Sequence, residues 1–504
     1  MTPAQVLLLS IYVPMTVLLA CYGLHRVHMV VEYLRTRKKN PVAPPHEGEW
    51  PRILVQIPVF NERAVVRRIL GAVSAMDYPR DKLRVQVLDD SNDETIEISA
   101  AACAELRETG MEVDHVRRPN REGFKAGALA HGLTLDDSEF VAIFDADFMP
   151  PKDVLKEMIP FFADDGVGLV QSRWEHLNLE RNLLTRLQSY LIDGHFILEH
   201  TYRHRTGRFF NFNGTAGMWR RKCIDDAGGW SSSSITEDTE ISFRAYVKGW
   251  KFVYLRDLTC PAELPADIDA YKSQQHRWAK GYTEVLQQHF GTIWRAPIKL
   301  KAKIEATLML SNHFAFLLMG ALTILHLPLL IVRTSYPSST ALRLLDMLGL
   351  SLVVIAFFAF YFISQWETKR LSLRRVALIP VCLGLAIAQM VNSSRAVLES
   401  LFGVKTGFIR TPKEGEGRAK SYKAAAGFGQ ALTEVVFGLY LLFSCTLMVS
   451  KGHFWGAPLN LLVSFGFFYL GLGTLRNRWR AVAPAPSTAA APAGTGHDSS
   501  IQPT

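Results

Sequence analysis

The apolar residues of this chain are spread unevenly, and that distribution constrains the fold more than any single motif. Long apolar runs occupy the N-terminus and the stretch after residue 305, with a charged, mixed segment between them. A helix needs about 20 largely apolar residues to cross a bilayer. Val6 to Val31 meets that requirement, and runs at 306–332, 343–366, 424–449 and 454–475 meet or nearly meet it. The pattern predicts membrane helices flanking a large soluble insert. A length of 504 residues also exceeds what one compact core holds.

Charge orients these runs. The first is followed by "EYLRTRKKN", whereas a signal peptide carries its charge before the apolar part and a cleavage site after it. A retained helix with a cytoplasmic C-terminal end is expected. Arg35 to Lys39, "ETKRLSLRR", "KTGFIRTPKEGEGRAKSYK" and "RNRWR" should then all face the cytoplasm. Five crossings satisfy this if Val376–Met390, shorter and interrupted by Pro380, lies in the interface or re-enters. The expected division is a transmembrane helix (1–34), a linker (35–49), a cytoplasmic domain (50–300) and two transmembrane helices (301–367). An interfacial helix with a loop (368–423), two more transmembrane helices (424–476) and a tail (477–504) follow. The Ala/Pro-rich "AVAPAPSTAAAPAGTG" makes that tail a candidate for disorder. The formal charge of +9 is concentrated partly at the cytoplasmic flanks, and no nucleic-acid motif accompanies it. The six cysteines are scattered without CxxC spacing, which favours small buried side chains over disulfides or zinc.

Within 50–300, strand-like and helix-like pieces alternate: "RILVQIPVF", "LRVQVLDDS", "EVDHVRRP" and "EFVAIFDADF" are separated by helical stretches. Strands of near-continuous apolar character predict a mainly parallel α/β sheet. Ligands then bind beyond the carboxyl ends of the strands, where two acidic clusters fall. Asp145 and Asp147 of "FDADF" stand at i and i+2 and can share Mg2+ or Mn2+, whose remaining ligands would be diphosphate oxygens. Two strand-end acids in a solvated turn are the plainer alternative. Asp89 and Asp90 either form a solvated turn or cap the next helix, or accept N–H groups from uracil or guanine. Lys125, beside a helix start, is either a solvated lysine or a cation suited to phosphate. Glu237 and Asp238 of "SITEDTEIS" are either an acidic helix N-terminus or a source of the base that sugar transfer needs. Gln274, Arg277 and Trp278 of "SQQHRWAKG" share one helix face. That face suits a membrane surface, or a diphosphate and a sugar ring.

"PVFNE", "VLDDSND", "GFKAGAL", "FDADF", "FNGTAG", "GGW", "TED" and "QQHRW" stand in the order found in processive family 2 glycosyltransferases. Residues 50–300 therefore resemble the cellulose, hyaluronan and mannan synthases. They are most like the mannan synthases of the cellulose synthase-like A class and their bacterial relatives. The chain departs in "FNFNGTAG" and lacks the long plant-specific insertions of cellulose synthases. The resemblance implies an α/β fold of GT-A type, a nucleotide-sugar-binding domain with a mixed, mainly parallel sheet inserted between transmembrane α-helices. It implies nucleobase binding by Asp90 with Asp89, a diphosphate contact at Lys125, metal binding by Asp145 and Asp147, and a general base at Asp238. Gln274, Arg277 and Trp278 would hold the diphosphate and the acceptor end of the glycan. Phe212, Asn213, Gly214 and Thr215, with Glu237 and Trp278, would lie near the acceptor sugar. Phe408, Arg410, Thr411 and Lys413 of "GFIRTPK" fall where related synthases keep a gating loop, although the wording differs from theirs.

The expected activity is metal-dependent, inverting transfer of β-linked mannose or glucose, from GDP-mannose or UDP-glucose, to a growing polysaccharide. The alternative acceptor is a membrane lipid such as a diacylglycerol or a ceramide. Membrane lipids are expected neighbours in either case. The missing insertions and short tail point to a bacterial plasma membrane.

Overall fold

The computed structural model describes residues 3–335, 340–404, 427–452, 454 and 456–482. The candidate gating residues Phe408, Arg410, Thr411 and Lys413 lie outside them.

The chain opens with α1 (Pro3–Arg35) and then builds one seven-stranded sheet. Its strands are β1 (Ile53–Val59), β2 (Leu83–Asp89), β3 (Glu112–Val116), β4 (Phe140–Ile143), β5 (Val167–His176), β6 (Gly217–Arg220) and β7 (Lys251–Ala262). They lie in the order β3-β2-β1-β4-β6-β5-β7. All neighbours are parallel except β6, which runs antiparallel to β4 and β5. The mainly parallel sheet read from the alternation is therefore present. "ILVQIPV" and "LRVQVLD" are nearly continuously apolar because both faces of the sheet are covered. Helices α2 (Val66–Ser74), α3 (Thr95–Glu108) and α5 (Val154–Met158) cover one face. The other packs against α4 (Phe124–Leu133), α8 (Arg221–Asp226), α9 (Glu237–Val247) and α10 (Ile268–Arg295). Parallel pairing in register, with Val59 opposite Asp89, brings the carboxyl ends of β1 and β2 to one edge, and β4 ends there too.

Between β5 and β6, α6 (Leu183–Asp193) runs into a π-helical turn at Gly194–His200 and then α7 (Thr201–Arg205). After α10 come α11 (Leu300–Leu310), α12 (Phe314–Ser335), α13 (Thr340–Glu367), α14 (Leu373–Ala388), α15 (Met390–Leu401), α16 (Phe428–Ser450) and α17 (Ala457–Val482). A third core unites α12 to α17 with α1, α6, α7 and α10, while α11 packs with the sheet-face core, so the apolar helices are packed onto the sheet domain through shared side chains such as Tyr33, Tyr190, Tyr202 and Tyr271. Among the described residues, Gln5–Arg35, Phe314–Val332, Leu373–Leu401, Phe428–Ser450 and Ala457–Arg480 are long and apolar enough to cross a membrane, as in a multi-pass protein, and Ser351–Glu367 is a shorter apolar helix.

Three boundaries differ from expectation. The run beginning at 306 is divided between α11, which ends at Leu310, and α12, which starts at Phe314, and Glu305 within α11 is anchored in a buried polar cluster. It accepts from Tyr202 Oη at 2.9 Å and Arg203 Nε at 2.9 Å, and lies 3.0 Å from His25 Nε2. Only from Phe314 does a helix of crossing length begin. Pro380 is accommodated inside α14, and α15 continues after Gln389. Both ends of this pair touch the sheet domain: Tyr190 Oη donates to Arg375 O, and Ser400 Oγ to Gln287 Oε1, each at 2.9 Å. Finally, α17 continues past the expected start of the tail to Val482.

Candidate active site

The carboxyl edge of the sheet opens into a cavity of about 270 Å³. Asp90, Lys125, Asp145, Asp147, Asn213, Gly214, Glu237, Asp238, Gln274, Arg277 and Trp278 all line it. Segments nearly 190 residues apart in sequence thus meet at one place.

Asp145 and Asp147 follow the end of β4. The Asp145 N–H donates to Thr215 Oγ1 at 2.7 Å, and its Oδ1 accepts from Lys125 Nζ at 2.5 Å. Lys125 stands in the first turn of α4, after Gly123 at a φ of +70°. Its ammonium also donates to Gly214 O at 2.8 Å. Burial works against that charge, but Asp145, Glu237 and Asp238 together outweigh it and raise the lysine above its ordinary value. Among the described residues no cluster of three or more His, Cys, Asp or Glu could cage a metal. Two carboxylates facing an open cavity nevertheless fit a hard cation that takes its other ligands from phosphate and water.

Glu237 and Asp238 occupy the first turn of α9 as an acidic helix N-terminus, and both line the cavity. Asp238 is partly exposed where it lines the cavity, and its Oδ1 accepts from the Thr239 N–H at 2.6 Å. Burial, and then the neighbouring Glu237 charge, push its carboxyl up to about 7. Glu237 is also raised, chiefly by burial. A carboxyl so placed can take up a proton near neutral pH. Opposite it sits Gly214, with φ +83°. A Cβ there would lie 2.9 Å from Asp238 Oδ2, so this turn requires glycine for both its backbone and its contact.

The face of α10 carrying Gln274, Arg277 and Trp278 closes the cavity. Its approach depends on Gly281, where a Cβ would fall 2.4 Å from Thr236 Cγ2, next to Glu237.

Other expected residues stand outside the cavity. Asp89 is fully buried, accepting from the Ser91 N–H at 2.9 Å and pairing with His115 Nε2 at 2.8 Å. It braces the turn after β2, while only Asp90 reaches the cavity. Phe212 is core, packed edge-on against Trp219. Thr215 is also buried and acts by holding the Asp145 backbone.

Several lining or bracing residues carried no motif signal. Arg118 grips Asp90 in a bidentate pair, Nε to Oδ1 at 3.0 Å and Nη2 to Oδ2 at 2.5 Å. It also donates to the carbonyls of Glu122 and Phe124, which ties the acid to the loop presenting Lys125. Arg121 lines the cavity with its guanidinium 3.4 Å from the centre of the Phe60 ring. Glu263, paired with Arg68 at 2.6 Å, lines it near Asp147. The basic run "VRRPNRE" was the available hint for the two arginines.

A mainly parallel seven-stranded sheet with an acid pair at its carboxyl edge and an acidic helix N-terminus nearby is a GT-A-like arrangement. The comparisons with known proteins agree. Residues 51–281 match the family model described as glycosyltransferase like family 2. Glucomannan 4-beta-mannosyltransferase 1 of Oryza sativa subsp. japonica is 42% identical over 259 residues, 49% of this chain and 50% of that protein. Glucomannan 4-beta-mannosyltransferase 2 of Arabidopsis thaliana is 40% identical over 282 residues, 53% of each chain. The chain thus spans about half the length of the curated relatives it matches. These relatives are plant proteins, so the expected bacterial membrane gains no support from them. A solved structure, mannosyltransferase PcManGT from Pyrobaculum calidifontis in complex with GDP-Man and Mn2+, shares the fold. Its TM-score is 0.51 and its identity 20%, over 78% of this chain and 100% of that chain.

Proposed function

We propose that this chain is a membrane-embedded, inverting β-mannosyltransferase that extends a polysaccharide with mannose from GDP-mannose. The observation that carries this reading is the raised carboxyl of Asp238 facing the Lys125–Asp145 pair across one cavity. The relatives named as glucomannan mannosyltransferases support the sugar and the acceptor, and the GDP-mannose complex of the fold neighbour supports the donor.

Asp145 and Asp147 would hold Mg2+ or Mn2+, which when bound stabilises the charge growing on the departing diphosphate. Lys125 and Arg277 bind that diphosphate, and Asp90, fixed by Arg118, reads the base. Asp238 takes the proton from the acceptor hydroxyl as the sugar carbon is attacked. A single displacement with one base converts an α-linked donor into a β-linked product. Trp278 offers a flat face to a sugar ring and Gln274 a hydrogen-bonding amide.

In the membrane, α1, α12, α13, α16 and α17 cross, the sheet domain is cytoplasmic, and α14–α15 returns to the side it left. The contacts at both of its ends support that placement.

Purified enzyme in lipid nanodiscs should release nucleotide from GDP-mannose in preference to UDP-glucose and build a product of many sugars. Turnover of UDP-glucose alone would overturn the donor assignment. A product carrying one sugar on a lipid would overturn the polymer assignment.

A further inference from the structure

Asn213 lines the cavity beside Gly214 and Asp238, and its amide is held from behind. Its Nδ2 lies 3.1 Å from His195 Nε2, and His195 Nδ1 lies 3.0 Å from Glu199 Oε2. Arg203 Nη2 in turn lies 3.4 Å from the same Glu199 oxygen. Burial opposes the Glu199 charge, yet Arg203 and His195 hold this carboxyl below its ordinary range. An ionised Glu199 accepts the Nδ1 proton of His195, which leaves Nε2 as the acceptor for the Asn213 N–H. The orientation of the amide follows: its nitrogen faces His195 and its oxygen faces away. That oxygen is buried without a hydrogen-bond partner among the described residues. An orphaned buried acceptor is uncommon and calls for a partner.

The backbone carrying this pair is also unusual. His195 and Glu199 stand in the π-helical turn at Gly194–His200, and such wide turns are rare and gather at functional sites. Gly194 at its start presses against α13, where a Cβ would lie 2.6 Å from Phe360 Cε1.

We infer that His195 and Glu199 are positioning residues for the acceptor, holding the Asn213 amide in the cavity wall beside Gly214 and Asp238, where the acceptor sugar must approach. The inference rests on the glycosyl transfer proposed above and adds the residues that set the acceptor's orientation. Neither His195 nor Glu199 lines the cavity itself, so their loss should act on acceptor binding and leave nucleotide binding intact.

The test is an acceptor titration with β-linked manno- and cello-oligosaccharides on full-length enzyme, using whichever nucleotide sugar the wild type turns over. A different donor would then revise the proposed function and leave this test standing. His195→Ala should raise the acceptor KM about tenfold, the scale of one oriented hydrogen bond. The Kd for the nucleotide should change less than about twofold. His195→Gln, which can still accept and donate along the chain, should recover most of the loss. Asn213→Ala should match His195→Ala, and the double variant should be no worse than either single one. An unchanged acceptor KM in His195→Ala, equal losses in nucleotide and acceptor binding, or additive losses in the double variant would each overturn the inference. So would a wild type that accepts no oligosaccharide.

Discussion

Replacing Asp238 with Asn should abolish transfer and, at alkaline pH, stabilise the fold. The second effect follows from the site's electrostatics. The Asp238 carboxyl is raised from 3.8 to about 7 by burial and by Glu237. In the unfolded chain it ionises near its ordinary value, while the folded protein keeps the proton until about pH 7. Stability therefore falls as pH rises between those values, and the whole penalty is present above pH 7. At ~1.4 kcal/mol per pH unit, that penalty is on the order of 4 kcal/mol. Asparagine carries no charge and escapes it, while keeping nearly the same shape in contact with Gly214. The variant should thus unfold at a higher temperature than wild type at pH 8, with the gap closing towards pH 4. Its transfer rate should drop about 10²–10⁴-fold, the range for loss of a general base, with nucleotide affinity largely retained. Scanning fluorimetry across pH and radiolabelled sugar incorporation read the two effects. Wild-type transfer by Asp238→Asn would refute the base assignment. A stability gap independent of pH would refute the electrostatic account.

Further outcomes follow from other contacts. Glu237→Gln removes the second cause of the raised carboxyl, so the acidic limb of the pH–rate profile should move down by about one pH unit; an upward move would contradict the assignment. Chelation with EDTA should stop transfer, and Mn2+ or Mg2+ should restore it, since Asp145 and Asp147 leave most of a cation's ligands to phosphate and water. Gly281→Ala should lower the rate by forcing α10 away from Thr236, with the far-ultraviolet spectrum unchanged. Lys272 is buried and donates to Glu434 Oε2 at 2.5 Å and Thr474 Oγ1 at 2.8 Å, joining α10 to α16 and α17. Lys272→Met should cost about 3–5 kcal/mol by stranding Glu434, and Lys272→Met with Glu434→Leu much less; thermal scans in detergent would show the difference.

Much of this was legible in the sequence, because the relevant physics is local. Near-continuous apolar strands require cover on both faces, so the parallel sheet could be read from β1 and β2. Acids just beyond strand ends, and three side chains on one face of α10, follow from periodicity alone. What could not be read depends on which way a side chain leaves the backbone once strands and helices are packed. Asp89 and Asp90 are adjacent in sequence, yet one is sealed against His115 and the other faces the cavity. Phe212 and Thr215 belong to the same motif as Asn213 and Gly214 but serve the core. Arg118 meets Asp90 only because β2 and β3 are neighbours, and His195 meets Asn213 only because the π-helical turn packs against the segment leading into β6. The raised carboxyl of Asp238 is likewise a property of the assembled cavity. Sequence determined which elements form and which chemical groups are available; tertiary packing decided which of those groups share a space and how strongly they are charged, since burial and proximity exist only once the chain has folded.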